Sequence, residues 1–268
     1  MKPWHLWVSI AAIAAFGFLL SQDVLARLAW HRFNRPDIAL LLVRRDTDFA
    51  MLLGNYYFGQ TIGRSEYDLA KAELALRKAV AADPDILWGH YQLARIHFVK
   101  GEYGAALEEV NVELAANPEN LRSLYVRGLI YGYRNYTGDL KKAEEDFRRF
   151  TQWAPKEWAG YNDLAWVLSK QGKYVEAREA LETAFGEVPE AGQNPWLWNS
   201  LGVTQQSTGS RVAARASFEK AKTLAEELSV VAWRSAYPGN DPASAEAGLA
   251  AFRAAIGENL TRARAGSR

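Results

Sequence analysis

The chain has 268 residues, and a hydrophobic fraction of 49% is enough to bury a sizeable core and exclude wholesale disorder. Its net charge of +1 is unevenly spread: 6 Lys/Arg against 2 Asp/Glu before residue 46, 21 against 26 from there to residue 228, and 5 against 3 beyond. The acidic middle argues against nucleic acid as the main ligand, because phosphate needs clustered Lys and Arg, and the lack of cysteine excludes disulfides, thiolate zinc sites and a cysteine nucleophile.

The first predicted element covers residues 4–22. From Trp4 to Leu20 there is no Asp, Glu, Lys or Arg, and these 17 residues are at the short end of what spans a bilayer as a helix. Trp4 and Trp7 suit an interfacial aromatic belt at the outer end. The segment is expected to be a single-pass membrane anchor. A cleaved secretory signal is the alternative, with Lys2 as its charged region and Val24-Leu25-Ala26 as the peptidase site, although Asp23 sits awkwardly there. Arg27, Arg32, Arg35, Arg44 and Arg45 outnumber Lys2, which by the positive-inside rule keeps the body in the cytoplasm; very short leading tails that stay inside would export it. The side of the membrane stays open. Residues 23–46 read as a juxtamembrane helix or degenerate half-repeat.

A repeat follows over residues 47–228. Its first landmark is a small residue on an amphipathic stretch, at Gly54, Ala94, Gly128, Ala165 and Gly202. The second is an alanine, at Ala72, Ala106, Ala143, Ala177 and Ala214, followed four residues later by Leu76, Val110, Phe147, Leu181 and Phe218. Prolines 84, 118, 155 and 189 close four of the five units, at spacings of 34, 37 and 34, and Glu226 stands in the fifth place. Small residues let two helices approach, and the large side chains at helical i and i+4 spacing fill the space beside the contact. Gly101 and Gly172 mark the turns between helices, and each proline ends a second helix because it lacks an amide hydrogen and biases the preceding residue away from helix. The units are placed at about 47–86, 87–120, 121–157, 158–191 and 195–228.

These residues resemble the tetratricopeptide repeat. Tyr161, Leu164-Ala165, Tyr174, Ala177, Leu181, Ala184 and Pro189 fit its pattern, as do Trp198, Leu201-Gly202, Ala214, Phe218 and Ala221. The resemblance implies an all-α fold, a right-handed α-solenoid of about five stacked antiparallel helix pairs, whose concave face binds a peptide or another protein. Two hairpins depart from the pattern, with extra residues near 59–65 and 135–138 that should project as enlarged loops. Tyr237-Pro238-Gly239-Asn240-Asp241-Pro242 reads as a turn, with Asp241 as N-cap and Pro242 as first residue of a capping helix at about 242–260. The capping segment is placed at 229–262, and residues 263–268 are expected to be a frayed tail.

No catalytic constellation stands out. His90 and His97 are seven apart on one predicted helix, but no further ligands come at helical spacing, and structural histidines are the simpler reading. Glu108-Glu109 and Glu144-Glu145-Asp146 read as solvated helix faces. There is no glycine-rich phosphate loop, zinc-binding His-Glu helix or nucleophile elbow, and Asn259-Leu260-Thr261 is a glycosylation sequon by pattern only. The expectation is therefore a non-enzyme with no cofactor, no metal and no small-molecule substrate. The candidate groove residues are Asn55, Tyr91, Arg95, Tyr125, Asn162, Trp166, Asn199 and Gln206, since Asn and Gln pair with extended backbone and Tyr, Trp and Arg are hot-spot types. Met51 and Tyr91 stand where the chaperone-binding members of the family carry Lys or Asn, which argues against a carboxylate clamp. The reading is a membrane-anchored scaffold for protein–protein interaction. A secreted or periplasmic binding module released by signal cleavage, and a non-catalytic accessory subunit of an envelope enzyme or secretion complex, are the alternatives.

Overall fold

The computed structural model describes residues 8, 17, 21–60, 65–237 and 239–265. Among these there is no strand, and one isolated antiparallel bridge joins Phe58 and Tyr67; everything regular is helical. The expected membrane segment, 4–22, lies almost wholly outside the described residues, and no helix among those described is long and apolar enough to cross a membrane. Contacts divide the chain into two units, residues 1–96 and 97–268.

In the first unit, α1 runs over residues 21–31, followed by α2 (Pro36–Leu42), α3 (Thr47–Tyr57), α4 (Leu69–Ala82) and most of α5 (Gly89–Val99). Helix α3 packs between α2 and α4. The side chains of Asp46 and Asp68 cap α3 and α4, accepting from the amides of Phe49 and Lys71 at 3.1 and 3.0 Å. The end of α2 is tied down by Lys78 of α4, whose Nζ donates to the carbonyls of Leu40 and Val43 at 2.6 and 3.0 Å. Those carbonyls belong to the last turn or follow it, where backbone acceptors otherwise lack partners. Asp23 holds the next turn by accepting from the Arg44 amide at 2.7 Å. Residues 23–46 thus carry the rest of α1 and all of α2, docked onto α3 and α4.

The second unit contains α6 (Tyr103–Ala116), α7 (Leu121–Arg134), α8 (Asp139–Trp153), α9 (Trp158–Lys170), α10 (Tyr174–Glu187), α11 (Pro195–Ser207), α12 (Arg211–Glu227), α13 (Val230–Ala236) and α14 (Ala245–Ala265). From α6 to α12 each helix packs on the next, and α9 also touches both α7 and α11. Helices α7, α9 and α11 therefore share a layer, as first helices of successive hairpins must.

The small-against-large pairing drawn from the repeat is met atom by atom. A methyl group on Gly128 would lie 2.8 Å from the Phe147 ring, and one on Gly202 would lie 2.5 Å from the Phe218 ring. In the first unit, a methyl on Gly54 would lie 2.6 Å from Leu76. These three contacts are sites where the second helix pushes its large side chain against bare backbone of the first. The turns behave likewise: Gly101 and Gly172 have φ of 76° and 75°, which strains any other residue. Each proline follows a helix by two residues. Helices α4, α6, α8 and α10 end at Ala82, Ala116, Trp153 and Glu187, and the residue between is non-helical, as the clash with the proline ring requires. Lacking a proline, α12 passes through Glu226 and reaches 17 residues against 14 or 15 for the others. Its end is held from outside. Arg253 of α14 donates to the carbonyls of Ala225, Glu226 and Leu228 at 2.8, 3.1 and 2.9 Å.

The C-terminal segment differs from the expectation in two ways. A short helix, α13, forms between residues 230 and 236, capped by Ser229, ahead of the turn. Beyond the turn, Asp241 does accept from the Ala243 amide at 2.9 Å, but Pro242 opens a 3-10 turn, Pro242–Ser244, that leads into α14. Helix α14 also continues to Ala265 instead of fraying from 263, because Leu260 and Ala263 are buried against Ala214 and Phe218 of α12.

Candidate functional site

Within the second unit, the layer of first helices bounds a cavity of about 340 Å³, at the lower end of the size that holds small ligands or side chains. One wall is the end of α5 and the start of α6, with Phe98, Val99 and Tyr103. Helix α7 supplies Tyr125, Leu129 and Tyr133, which lie at spacings of four and eight and so on one face. Helix α9 supplies Trp158, Ala159, Asn162 and Asp163. The fourth wall is the end of α13 and the turn after it, with Ala236, Tyr237 and Asn240.

A relay of hydrogen bonds fixes the polar groups. The Ser200 hydroxyl on α11 donates to Asn162 Oδ1 at 2.7 Å, the Asn162 amide nitrogen donates to Asp163 Oδ1 at 3.2 Å, and the Tyr125 hydroxyl donates to Asp163 Oδ2 at 2.7 Å. Both inter-helix steps span 38 residues, close to the repeat length, so the relay is a product of the stacking itself. Burial pushes the Asp163 carboxyl up to about 6, against the opposing pull of the Tyr125 and Asn162 hydrogen bonds. Burial likewise holds the Tyr125 phenol well above its usual value and raises Tyr133 and Tyr237, the last to about 12.

The fourth wall is held by stacked aromatics. Trp196 of α11 stacks on Trp158 at 5.1 Å, on Trp233 of α13 at 5.7 Å and on Phe252 of α14 at 5.4 Å, and its indole N–H donates to the Tyr237 hydroxyl at 2.8 Å. A methyl on Gly248 would lie 2.8 Å from the Trp233 indole nitrogen, so the α13–α14 contact is as close as those inside the repeats. Where these rings meet, offset or edge contacts add about 0.5–1.5 kcal/mol per pair beyond burial.

Of the eight groove residues named from the sequence, Tyr125 and Asn162 meet in this cavity. Asn55, Tyr91 and Arg95 belong to the first unit and form their own network. Gln92 Nε2 donates to Asn55 Oδ1 at 2.9 Å, Arg95 Nη1 donates to Gln60 Oε1 at 3.0 Å, and the Arg95 guanidinium lies 5.0 Å from the Phe58 ring centre and 5.5 Å from that of Tyr91. Trp166 lies outside the cavity wall, packed against Gly132, with its ring 5.0 Å from Tyr133 and the Lys170 ammonium 4.7 Å above it. Asn199 is engaged by the capping helix, accepting from Asn259 Nδ2 at 3.0 Å. Gln206 does not reach the cavity, and its neighbour Gln205 is the one that accepts from Ser217, at 2.7 Å. Asp163, Tyr133 and Tyr237 are cavity residues that the sequence reading missed. For Tyr133 the signal was there: it is eight residues from Tyr125, on the same helix face. As for the histidines, His97 is buried and its Nδ1 lies 2.6 Å from Glu102, a structural pairing; among the described residues no cluster of His, Asp or Glu could hold a metal ion.

The geometry can be set beside solved structures. A thermophilic TPR protein of Thermus thermophilus, TTC0263, superposes with a TM-score of 0.52 at 22% identity over 67% of this chain and 92% of that one. The chain has the tetratricopeptide-repeat fold. A MamA crystal structure matches with a TM-score of 0.55 at 19% identity, over 71% of this chain and 94% of that one. MamA from Desulfovibrio magneticus RS-1, residues 41 to the end, gives 0.58 at 15% identity over 68% and 96%. No protein-family model and no curated protein matches the chain. At these identities the likeness is one of fold.

Proposed function

We propose that this protein is a membrane-tethered scaffold that holds an exposed segment of a partner protein in the cavity of its second unit. The observation that carries the reading is the cavity itself, lined by aromatic rings and by an Asn–Asp–Tyr relay held in place by the protein's own hydrogen bonds. Rigid aromatic walls bury much area at small entropic cost, and fixed polar groups set orientation, which is the usual division of labour in a protein-binding pocket. The tether is residues 4–22, and its support is the uncharged run from Trp4 to Leu20 flanked by Trp4, Trp7 and the following arginines.

The test is site-specific photocrosslinking in the native host. A photoreactive phenylalanine analogue at Leu129, in the cavity wall, is expected to capture one discrete partner whose linked peptide can be sequenced. The same analogue at Val175, exposed on α10, is expected to capture none. Equal capture from both positions, or capture from Val175 alone, rules the cavity out as the binding surface. Alkaline extraction of membranes tests the tether: the full chain staying in the pellet supports it, and a soluble chain beginning near Arg27 replaces it with the signal-peptide alternative.

A further inference from the structure

We infer that the cavity of the second unit is a cation socket, and that the partner segment it takes presents a lysine or arginine side chain to Asp163. This rests on the scaffold reading above and names the chemistry of its ligand. Three observations converge. Among the described residues lining the cavity, Asp163 is the only carboxylate, and there is no Lys, Arg or His. The groups that do bond to the carboxylate, the Tyr125 hydroxyl and the Asn162 amide, are neutral, and no salt bridge among the described residues involves Asp163. The same cavity is lined by the aromatic residues Phe98, Tyr103, Tyr125, Tyr133, Trp158 and Tyr237.

Each feature favours a positive guest and disfavours the others. A carboxylate held by neutral donors in a partly closed cavity has lost water without gaining a countercharge, which is the situation a buried charge avoids unless it is paired. Aromatic faces carry negative potential and attract ammonium or guanidinium groups brought within about 6 Å of the ring centre. An acidic side chain or a chain-terminal carboxylate would meet repulsion from Asp163 instead. The apolar stem of lysine or arginine suits Leu129, Val99 and the ring faces, while the charged end reaches the carboxylate. Among the described lining residues the only other ionisable groups are the phenols of Tyr103, Tyr125, Tyr133 and Tyr237. Burial holds the last three above their usual range, so the field in the socket is set by Asp163.

The experiment titrates the whole chain with small probes, read by tryptophan fluorescence and by the NMR signal of the Asn162 side-chain amide. The probes are Nα-acetyl-lysinamide, Nα-acetyl-argininamide, the uncharged isostere Nα-acetyl-norleucinamide and choline. The lysine and arginine probes are expected to bind about tenfold more tightly than norleucinamide, and Asp163→Asn to abolish that preference. Affinity for the lysine probe should fall about tenfold between about pH 7.5 and about pH 5, as Asp163 protonates. Equal binding of lysinamide and norleucinamide to the unaltered protein overturns the inference whether or not the variant folds. Choline binding more tightly than both amino-acid probes overturns the choice of a protein side chain as the guest. Crosslinking from Leu129 in the Asp163→Asn chain separates the two readings. A partner still captured there, with no lysine preference in the probes, overturns the socket and keeps the scaffold. A clear lysine preference with no partner captured by either chain overturns the scaffold, and with it the partner as source of the cation.

Discussion

At the residue scale, Asp163 is a cost to the fold that the sequence could have avoided. Its carboxyl is raised from 3.8 to about 6, so the folded state favours the protonated form more than the unfolded chain does. The stabilisation from that preference is fully present below about pH 4 and is lost as pH rises through about 6. A shift of this size corresponds to an upper bound of about 3 kcal/mol at neutral pH, less as cavity water screens the charge. Asp163→Asn should therefore raise the thermal midpoint at about pH 7.5 and leave it nearly unchanged at about pH 4, with the gap opening through about pH 6. Calorimetry of both proteins across that range checks it; a variant less stable at neutral pH would mean that the Tyr125 and Asn162 hydrogen bonds outweigh the desolvation. Asp163 was also the residue hardest to choose from sequence. It sits beside Asn162 on a mostly apolar helix, and only the stacking of α7 against α9 brings the Tyr125 hydroxyl to it.

Elements follow a simpler rule, in which helix pairs touch where one offers no side chain. Adding a methyl at Gly202 places it 2.5 Å from Phe218, whereas one at Gly104 in α6 or Gly186 in α10 meets nothing within 4 Å. Gly202→Ala should thus destabilise by about 1–3 kcal/mol through overpacking, less what alanine returns in helix propensity. Gly104→Ala and Gly186→Ala should instead stabilise by about 0.5–1 kcal/mol, since only propensity changes. Chemical denaturation of the three variants decides the sign in each case. The hairpins were readable because this rule writes itself into spacing: a small residue, an alanine, a bulky side chain four further on, and a proline. Helix α13 was not, because its reason to form lies in partners far along the chain. Trp233 is placed by Trp196 on α11 and Phe252 on α14, and no local period announces that.

On the scale of the molecule, the repeats end against a helix that does more than shield them. Leu260 and Ala263 seal Ala214 and Phe218, Ile256 seals Ala221 and Ala225, and Arg253 takes up the carbonyls at the end of α12. Truncation after Leu228 removes all of these at once. With Leu249, Ile256 and Leu260 each buried in the intact chain, the loss should be about 5 kcal/mol or more. The expected readout is a lowered calorimetric midpoint with aggregation on heating, because a strip of α12 becomes exposed apolar surface. An unchanged midpoint would mean that α14 is dispensable to the stack.

The wall formed by Ala236, Tyr237 and Asn240 has a temporal meaning as well as a spatial one. The cavity draws on residue 98 at one end and residue 240 at the other, so a growing chain carries three of its sides long before the fourth. Domains begin to fold from the N-terminus during synthesis. The pocket therefore matures last, after α12 has been made and α13 has come back to rest on Trp196. The pocket is thus complete only once residue 240 has been made and folded back, and nicking the short stretch between α12 and α14 would open it while leaving every repeat intact.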